Sequence, residues 1–130
     1  MANPTNKVMI VDDNVIDQMI TKRVLENSYS QSDVLVMHCP ISALNYLEDN
    51  KDNINALPSL IILDLDMPEM NGLGFLDGFA EFAERLRNAI KIVVLTATDV
   101  IADIELAIAN PAVSKLITKP LFNNSLAEML

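Results

Sequence analysis

Five short apolar segments, separated by segments with helical spacing, constrain the fold of this 130-residue chain more than any other feature. The segments are KVMIVD (7–12), VLVMH (34–38), LIILD (60–64), KIVVLT (91–96) and VSKLIT (113–118). They are apolar on both faces and rich in Val, Ile and Leu, which is typical of strands in a parallel sheet covered on both sides. The sequence therefore predicts an α/β fold: a doubly wound, five-stranded parallel sheet with helices on both faces.

The segments between the strands carry apolar residues near helical spacing. Asn14 can cap the first helix, and Pro40 is well tolerated in the first turn of the second. We expect helices over residues 14–27, from Pro40 onwards, and over residues 72–86, 99–109 and 123–130.

Length, charge and cysteine content limit the class of protein. A chain of this size is expected to form a single domain over residues 1–130. It contains no apolar run of the ~20 residues that a membrane span needs, and its N-terminus lacks the apolar core of a signal peptide. The single cysteine, Cys39, cannot form an internal disulfide, which fits a reducing cytoplasm. The net charge of −9 argues against direct binding of nucleic acid.

Four of the predicted strands end in, or are followed directly by, a polar side chain. Asp12 and Asp13 close the first strand, Asp64 closes the third, Thr96 closes the fourth, and Lys119 follows the fifth. The carboxyl ends of parallel strands share one edge of the sheet, and open α/β sheets bind their ligands there. An isolated Asp-Leu-Asp would most simply be a solvated turn, but the coincidence of four strand ends favours a functional site.

The residue types at this edge indicate phosphoryl transfer. Three carboxylates in one pocket raise one another's proton affinity, so a cation is needed to keep them ionised. Hard carboxylate oxygens suit Mg²⁺, which binds through one or two carboxylates plus a phosphate. Lys119 offers a compact positive charge for a phosphoryl oxygen, and Thr96 offers a hydroxyl donor. Asp64 would be the nucleophile and would form an aspartyl phosphate.

The motifs VDD (11–13), LDLDMPEMNG (63–72), LTA (95–97) and KP (119–120), in this order and at these strand ends, resemble the receiver domain of bacterial two-component response regulators. The resemblance covers essentially the whole chain. It implies a flavodoxin-like fold with strand order 2-1-3-4-5. It also implies a cytoplasmic phosphoacceptor signalling domain rather than a turnover enzyme, which takes its phosphoryl group from a histidine kinase or a histidine phosphotransfer protein.

The resemblance also implies a role for individual residues. Asp64 matches the phosphoacceptor. Mg²⁺ would be bound by Asp13 and Asp64, by the backbone carbonyl of Asp66, and by Asp12 through water. The phosphoryl group would be contacted by Thr96, Ala97 and Lys119, in a pocket shaped by Pro68, Gly72 and Pro120. Gly72 would allow a backbone conformation that other residues resist.

Three positions depart from the pattern of the family. Leu116 stands three residues before Lys119, where the family has its switch aromatic. Leucine supplies neither a ring nor a phenolic hydroxyl, so we expect phosphorylation to change the partner-binding face only modestly. Asp66 and Thr98 occupy the two positions that influence how fast the phosphoryl group is lost.

Two alternative functions remain open. A phosphatase of the haloacid dehalogenase type would use Asp64 as nucleophile and Asp66 as general acid, but it would leave Asp12 and Asp13 without a role. A degenerate receiver would only bind partners, a possibility that Leu116 keeps open. Turnover of a generic phosphatase substrate tests the first alternative, and trapping of an aspartyl phosphate tests the second.

Overall fold

The structure, a computed structural model, describes residues 7–28, 33–66, 72–97 and 101–119. Within these ranges five strands alternate with helices. The strands are β1 (Lys7–Val11), β2 (Asp33–Met37), β3 (Leu60–Asp64), β4 (Lys91–Thr96) and β5 (Val113–Thr118). The helices are α1 (Val15–Ser28), α2 (Pro40–Asp49), α3 (Gly72–Phe79), α4 (Glu84–Ala89) and α5 (Ile101–Ala109). None of these helices is long and apolar enough to cross a membrane.

The five strands form one parallel sheet in the order β2-β1-β3-β4-β5, so the predicted fold class and strand order are confirmed. The strand order reverses between β1 and β3, which pair with Val11 beside Leu63. Asp64 at the end of β3 lies in register with Leu95 of β4. The carboxyl ends of β1, β3 and β4 therefore meet at the point where sheets of this kind bind ligands.

Apolar side chains of the strands pack into two cores, one on each side of the sheet, because successive strand residues point to opposite faces. The larger core joins Met9, Ile61 and Val94 to buried residues of α2, α3 and α5. The smaller core joins Ile10 and Ile62 of the sheet to residues of α1. Helices thus cover both faces and hold the strand ends in fixed positions.

The predicted helix over residues 72–86 is wrong as a single element, since α3 ends at Phe79 and α4 begins at Glu84. All three glycines of the chain, Gly72, Gly74 and Gly78, lie in α3. Gly74 and Gly78 lie inside the helix, where a glycine costs about 1 kcal/mol relative to alanine, and this weakens the helix. A tight turn follows, in which Phe82 donates its backbone N–H to the carbonyl of Phe79.

Other predicted elements hold to within a residue or two where the structure describes them. Asn14 caps α1 as predicted, because its side-chain oxygen accepts the backbone N–H of Asp17 at 3.0 Å. Pro40 is the first residue of α2. The predicted helix over residues 123–130 lies outside the described residues.

Candidate functional site

Three side-chain carboxylates meet at the edge of the sheet formed by the C-terminal ends of the strands. Asp12 follows β1, Asp64 ends β3, and Asp17 lies in the first turn of α1. One oxygen of each lies within 4.8 Å of the others. Asp12 is 1% exposed and Asp64 is 3% exposed, so two of the three carboxylates are withdrawn from water. Sequence reasoning missed Asp17, although its place three residues after the Asn14 cap puts it at the same edge as Asp12.

Lys119 neutralises part of this negative charge. Its ammonium nitrogen lies 2.8 Å from Asp17 Oδ2 and 3.2 Å from Asp64 Oδ1. Its backbone N–H donates to the carbonyl of Thr96 at 2.9 Å, which ties the end of β5 to the end of β4. Burial opposes the charge of Lys119, but the hydrogen bond to Asp17 and the attraction of Asp64 outweigh it and raise its pKa. Lys119 is therefore fully charged at neutral pH.

Asp12 is held at the centre of the pocket by local hydrogen bonds. Its Oδ1 accepts the backbone N–H of Asn14 at 2.9 Å. Its backbone carbonyl accepts Gln18 Nε2 at 2.6 Å. Burial is the main cause that raises its pKa, to about 7, and the negative charge of Asp64 adds to it. A carboxyl group with this pKa is half protonated near neutral pH.

This raised pKa predicts how stability depends on pH when no divalent cation is bound. The pKa of Asp12 rises from 3.8 to about 7 on folding, so the folded chain retains a proton that the unfolded chain loses over this interval. We expect the contribution of Asp12 to the free energy of unfolding to fall as pH rises from about 4 to about 7, by at most roughly 4 kcal/mol. Urea denaturation in excess chelator, over a series of pH values, measures it.

Asp12→Asn is the control for this pH dependence, because asparagine does not titrate. The difference in unfolding free energy between wild type and Asp12→Asn should change through this window and level off above pH 7 or so. A constant difference from pH 4 to pH 8 or thereabouts would show that Asp12 titrates normally.

Asp66 links the end of β3 to the end of β4. Its backbone N–H donates to Asp64 Oδ1 at 3.0 Å. Its carboxylate accepts the hydroxyl of Thr96 at 3.3 Å and the backbone N–H of Ala97 at 2.8 Å. In the part of the chain that the structure describes, the contacts of the Asp64 carboxylate fall on Oδ1. No hydrogen bond or ion pair from the described residues reaches the second oxygen, Oδ2.

The structure brings together most, but not all, of the predicted site residues. Asp12, Asp64, Asp66, Thr96, Ala97 and Lys119 form one connected set. Asp13 is exposed and is not among the three grouped carboxylates, so its role at the metal stays a prediction. Leu116 is partly buried and packs against the larger core. Pro68, Thr98 and Pro120 lie outside the described residues.

Gly72 is needed for close packing rather than for an unusual backbone. It is the first residue of α3, and an ideal Cβ built there would lie 2.9 Å from Leu65 Cα and 3.1 Å from the backbone oxygen of Asp64. Its backbone N–H donates to the carbonyl of Leu65 at 3.1 Å. The φ angle of Gly72 does not lie in the positive, left-handed region, so the expectation of a special backbone conformation is wrong. A side chain at position 72 would displace the segment that follows β3.

The donor set of the pocket fits a divalent cation. Asp12, Asp17 and Asp64 supply carboxylate oxygens, and the Lys119 ammonium offsets only one of the three negative charges. Hard oxygen ligands of this kind suit Mg²⁺ or Mn²⁺ rather than zinc. The raised pKa of Asp12 agrees with this, because burial and the neighbouring charge of Asp64 favour a proton on Asp12 when no cation is bound.

Comparison with known proteins identifies related domains. The family model described as the response regulator receiver domain matches residues 8–130. Response regulator Rcp1 of Synechocystis sp. is 29% identical over 110 residues, which cover 81% of this chain and 74% of Rcp1. A protein-glutamate methylesterase/protein-glutamine glutaminase of Shewanella oneidensis is 32% identical over 117 residues, which cover 88% of this chain but 29% of that enzyme. The chain thus spans less than a third of the methylesterase.

A solved structure shares the fold along nearly the whole chain. The crystal structure of a response regulator receiver protein from Dyadobacter fermentans aligns with a TM-score of 0.81 and 31% sequence identity. The alignment covers 95% of this chain and 94% of that one. The agreement in sequence and fold favours a receiver over the phosphatase alternative.

Proposed function

The chain belongs to the response-regulator receiver family, and from this premise we propose that Asp64 accepts a phosphoryl group from a phosphohistidine of a partner protein. The observation that carries the proposal is the setting of Asp64. Its Oδ1 is held by the Lys119 ammonium and by the backbone N–H of Asp66, while donors of Thr96 and Ala97 lie on the neighbouring strand end. A buried carboxylate with fixed donors around it is suited to phosphoryl transfer.

The proposed step transfers the phosphoryl group from the phosphohistidine to Asp64. Asp64 Oδ2 attacks the phosphorus atom, an O–P bond forms, and the P–N bond to the histidine of the donor breaks. The released imidazole nitrogen takes up a proton from water. Lys119, the hydroxyl of Thr96 and the backbone N–H of Ala97 then hold the phosphoryl oxygens. Catalysis rests on position and charge, since the phosphohistidine already supplies a good leaving group.

We propose Mg²⁺ as the cation of this pocket. The carboxylates of Asp12, Asp17 and Asp64 lie close enough together to hold it, and the resemblance adds Asp13 and the backbone carbonyl of Asp66. Bound Mg²⁺ supplies positive charge that offsets the charge of the phosphoryl oxygens. Asp12 stays ionised in its presence, because the cation replaces the proton that Asp12 otherwise retains.

Incubation with a small phosphodonor tests the proposal without any knowledge of the partner. We expect phosphoramidate and Mg²⁺ to add the mass of one phosphoryl group to the intact chain, and hydroxylamine to remove it, as it does for acyl phosphates. A chain that gains no mass at any donor concentration would be a degenerate receiver. Steady release of phosphate from a generic phosphatase substrate would instead support the phosphatase alternative.

The donor protein needs a surface near the pocket, and α1 offers one. Four apolar side chains, Val15, Ile16, Met19 and Ile20, are between 42% and 64% exposed. They lie on the helix whose Asp17 contacts Lys119, so this apolar α1 face borders the pocket. Asp64 is buried, and a donor protein must therefore contact the surface around the pocket to reach it. Exposed apolar patches of this kind mark protein–protein interfaces.

We expect the double substitution Ile16→Ala and Met19→Ala to slow transfer from a phosphorylated histidine protein by roughly tenfold or more, because it removes two apolar contacts of about 1 kcal/mol each. Labelling by phosphoramidate should be unchanged, since that donor makes no contact with α1. The ratio of the two labelling rates is the measurement. Ile54→Ala is the matched control, because Ile54 is 50% exposed and lies in the loop before β3, away from the pocket edge.

An equal loss for both donors would contradict this assignment, because it would show damage to the pocket rather than to a docking surface. Unchanged transfer from the protein donor would place the docking surface elsewhere.

A further inference from the structure

The donors assigned to the phosphoryl oxygens at the end of β4 already serve an anion of the chain itself. The hydroxyl of Thr96 and the backbone N–H of Ala97 both donate to the carboxylate of Asp66, at 3.3 and 2.8 Å. Hydrogen bonds to an ionised acceptor are roughly twice as strong as those between neutral groups. The Asp66 carboxylate therefore competes for the same donors as a phosphoryl group on Asp64.

The position of Asp66 allows this competition to be reversible. Its backbone N–H is fixed to Asp64 Oδ1 at 3.0 Å, so its main chain stays beside the acceptor. Its side chain is exposed and can turn into water without burying an unpaired charge. Thr96, in contrast, is 1% exposed, and its hydroxyl needs an acceptor inside the protein. Asp66 can satisfy that need until a phosphoryl oxygen replaces it.

We propose that Asp66 is an internal competitor of the phosphoryl group: its carboxylate holds the Thr96 hydroxyl and the Ala97 N–H in the unphosphorylated chain and releases them on phosphorylation. The inference rests on the proposed function, and it deepens it by assigning a control residue to the same pocket. One N–H cannot serve two anions fully, and the two anions also repel each other. Asp66 therefore lowers the affinity of the pocket for a phosphoryl group.

The test uses beryllofluoride, which stands in for the phosphoryl group on an aspartate. In the presence of Mg²⁺, we expect Asp66→Ala to bind it about tenfold or more tightly than wild type, since one charge-assisted hydrogen bond no longer has to be broken. Asp66→Asn keeps the size of the side chain but removes its charge, and it should show an intermediate gain. Both variants retain the backbone carbonyl. Asp77→Asn removes an equal charge from an exposed site on α3 and should bind as wild type does.

The amide resonance of Ala97 gives a second readout that does not depend on affinity. Without beryllofluoride, its proton should move upfield in Asp66→Ala, because the short hydrogen bond to the carboxylate is lost. With beryllofluoride bound, the resonances of wild type and Asp66→Ala should converge, because both now donate to fluoride.

Four results would overturn the inference. Equal affinities of wild type and Asp66→Ala would show that the carboxylate does not compete, and an unchanged Ala97 resonance would show that the hydrogen bond is absent in solution. An equal gain in Asp77→Asn would attribute the effect to net charge. Failure of every variant to bind beryllofluoride would refute the proposed function as well, whereas tight and equal binding would refute only the competition.

Discussion

Asp64→Asn is expected to fold as the wild type does and to take up no phosphoryl group from any donor. An amide is a poor nucleophile at phosphorus, and it cannot form the acyl phosphate that we propose. Asparagine has nearly the same shape, and it removes one charge from a group of three crowded carboxylates. The melting temperature should therefore be kept or raised. Intact-mass measurement after incubation with phosphoramidate and Mg²⁺ should show only the unmodified variant.

Asp77→Asn is the control for this substitution, since it makes the same chemical change at an exposed position of α3. It should be labelled at the wild-type rate. Label on Asp64→Asn at that same rate would show that another residue is the acceptor.

Removal of the divalent cation is expected to have the second-largest effect. In excess chelator, labelling by phosphoramidate should fall to background, because no cation then offsets the negative charge of the carboxylates and of the phosphoryl oxygens. Mg²⁺ should also stabilise the folded chain, by about 2.7 kcal/mol at a concentration of 100 times its Kd. Melting curves at increasing Mg²⁺, recorded above pH 7 or so to avoid proton competition at Asp12, measure this gain.

Asp12→Asn should lose most of the stabilisation by Mg²⁺, whereas Asp77→Asn should keep it. Asp13→Asn removes the ligand that the motif implies, and Asp17→Asn removes the one that lies in the group of three carboxylates. The stabilisation by Mg²⁺ that each variant retains in the same titration compares the two ligands. Full labelling in chelator, or a melting temperature that does not change with Mg²⁺ concentration, would contradict the cation site.

The sheet could be predicted from the sequence because its signal is local. Strands such as LIILD are buried on both faces, so their apolar character is continuous and their ends are marked by the first polar residue. Once those ends are known, the geometry of a parallel sheet brings Asp12, Asp64, Thr96 and Lys119 to one edge. No contact between side chains has to be foreseen for this step.

The contacts within the pocket could not be predicted in the same way. Asp17 joins the carboxylates because α1 presents its first turn to the edge, and a helical acidic residue near a cap is usually explained by the helix dipole. Asp66 was expected to contribute its backbone carbonyl, yet its side chain reaches Thr96 and Ala97 across the strand ends. The close approach of Gly72 to Leu65 likewise depends on tertiary packing. The weak coupling expected from Leu116 stays a prediction.

The central claim, that Asp64 is the phosphoacceptor, is tested most directly by borohydride trapping. Borohydride reduces an aspartyl phosphate to homoserine, and peptide mass spectrometry then locates the converted residue. After incubation with phosphoramidate and Mg²⁺, homoserine is expected at position 64, and it should be missing from samples without donor. Homoserine at position 12, 13 or 66 instead, or a phosphoryl label that survives hydroxylamine and yields no homoserine, would contradict the claim.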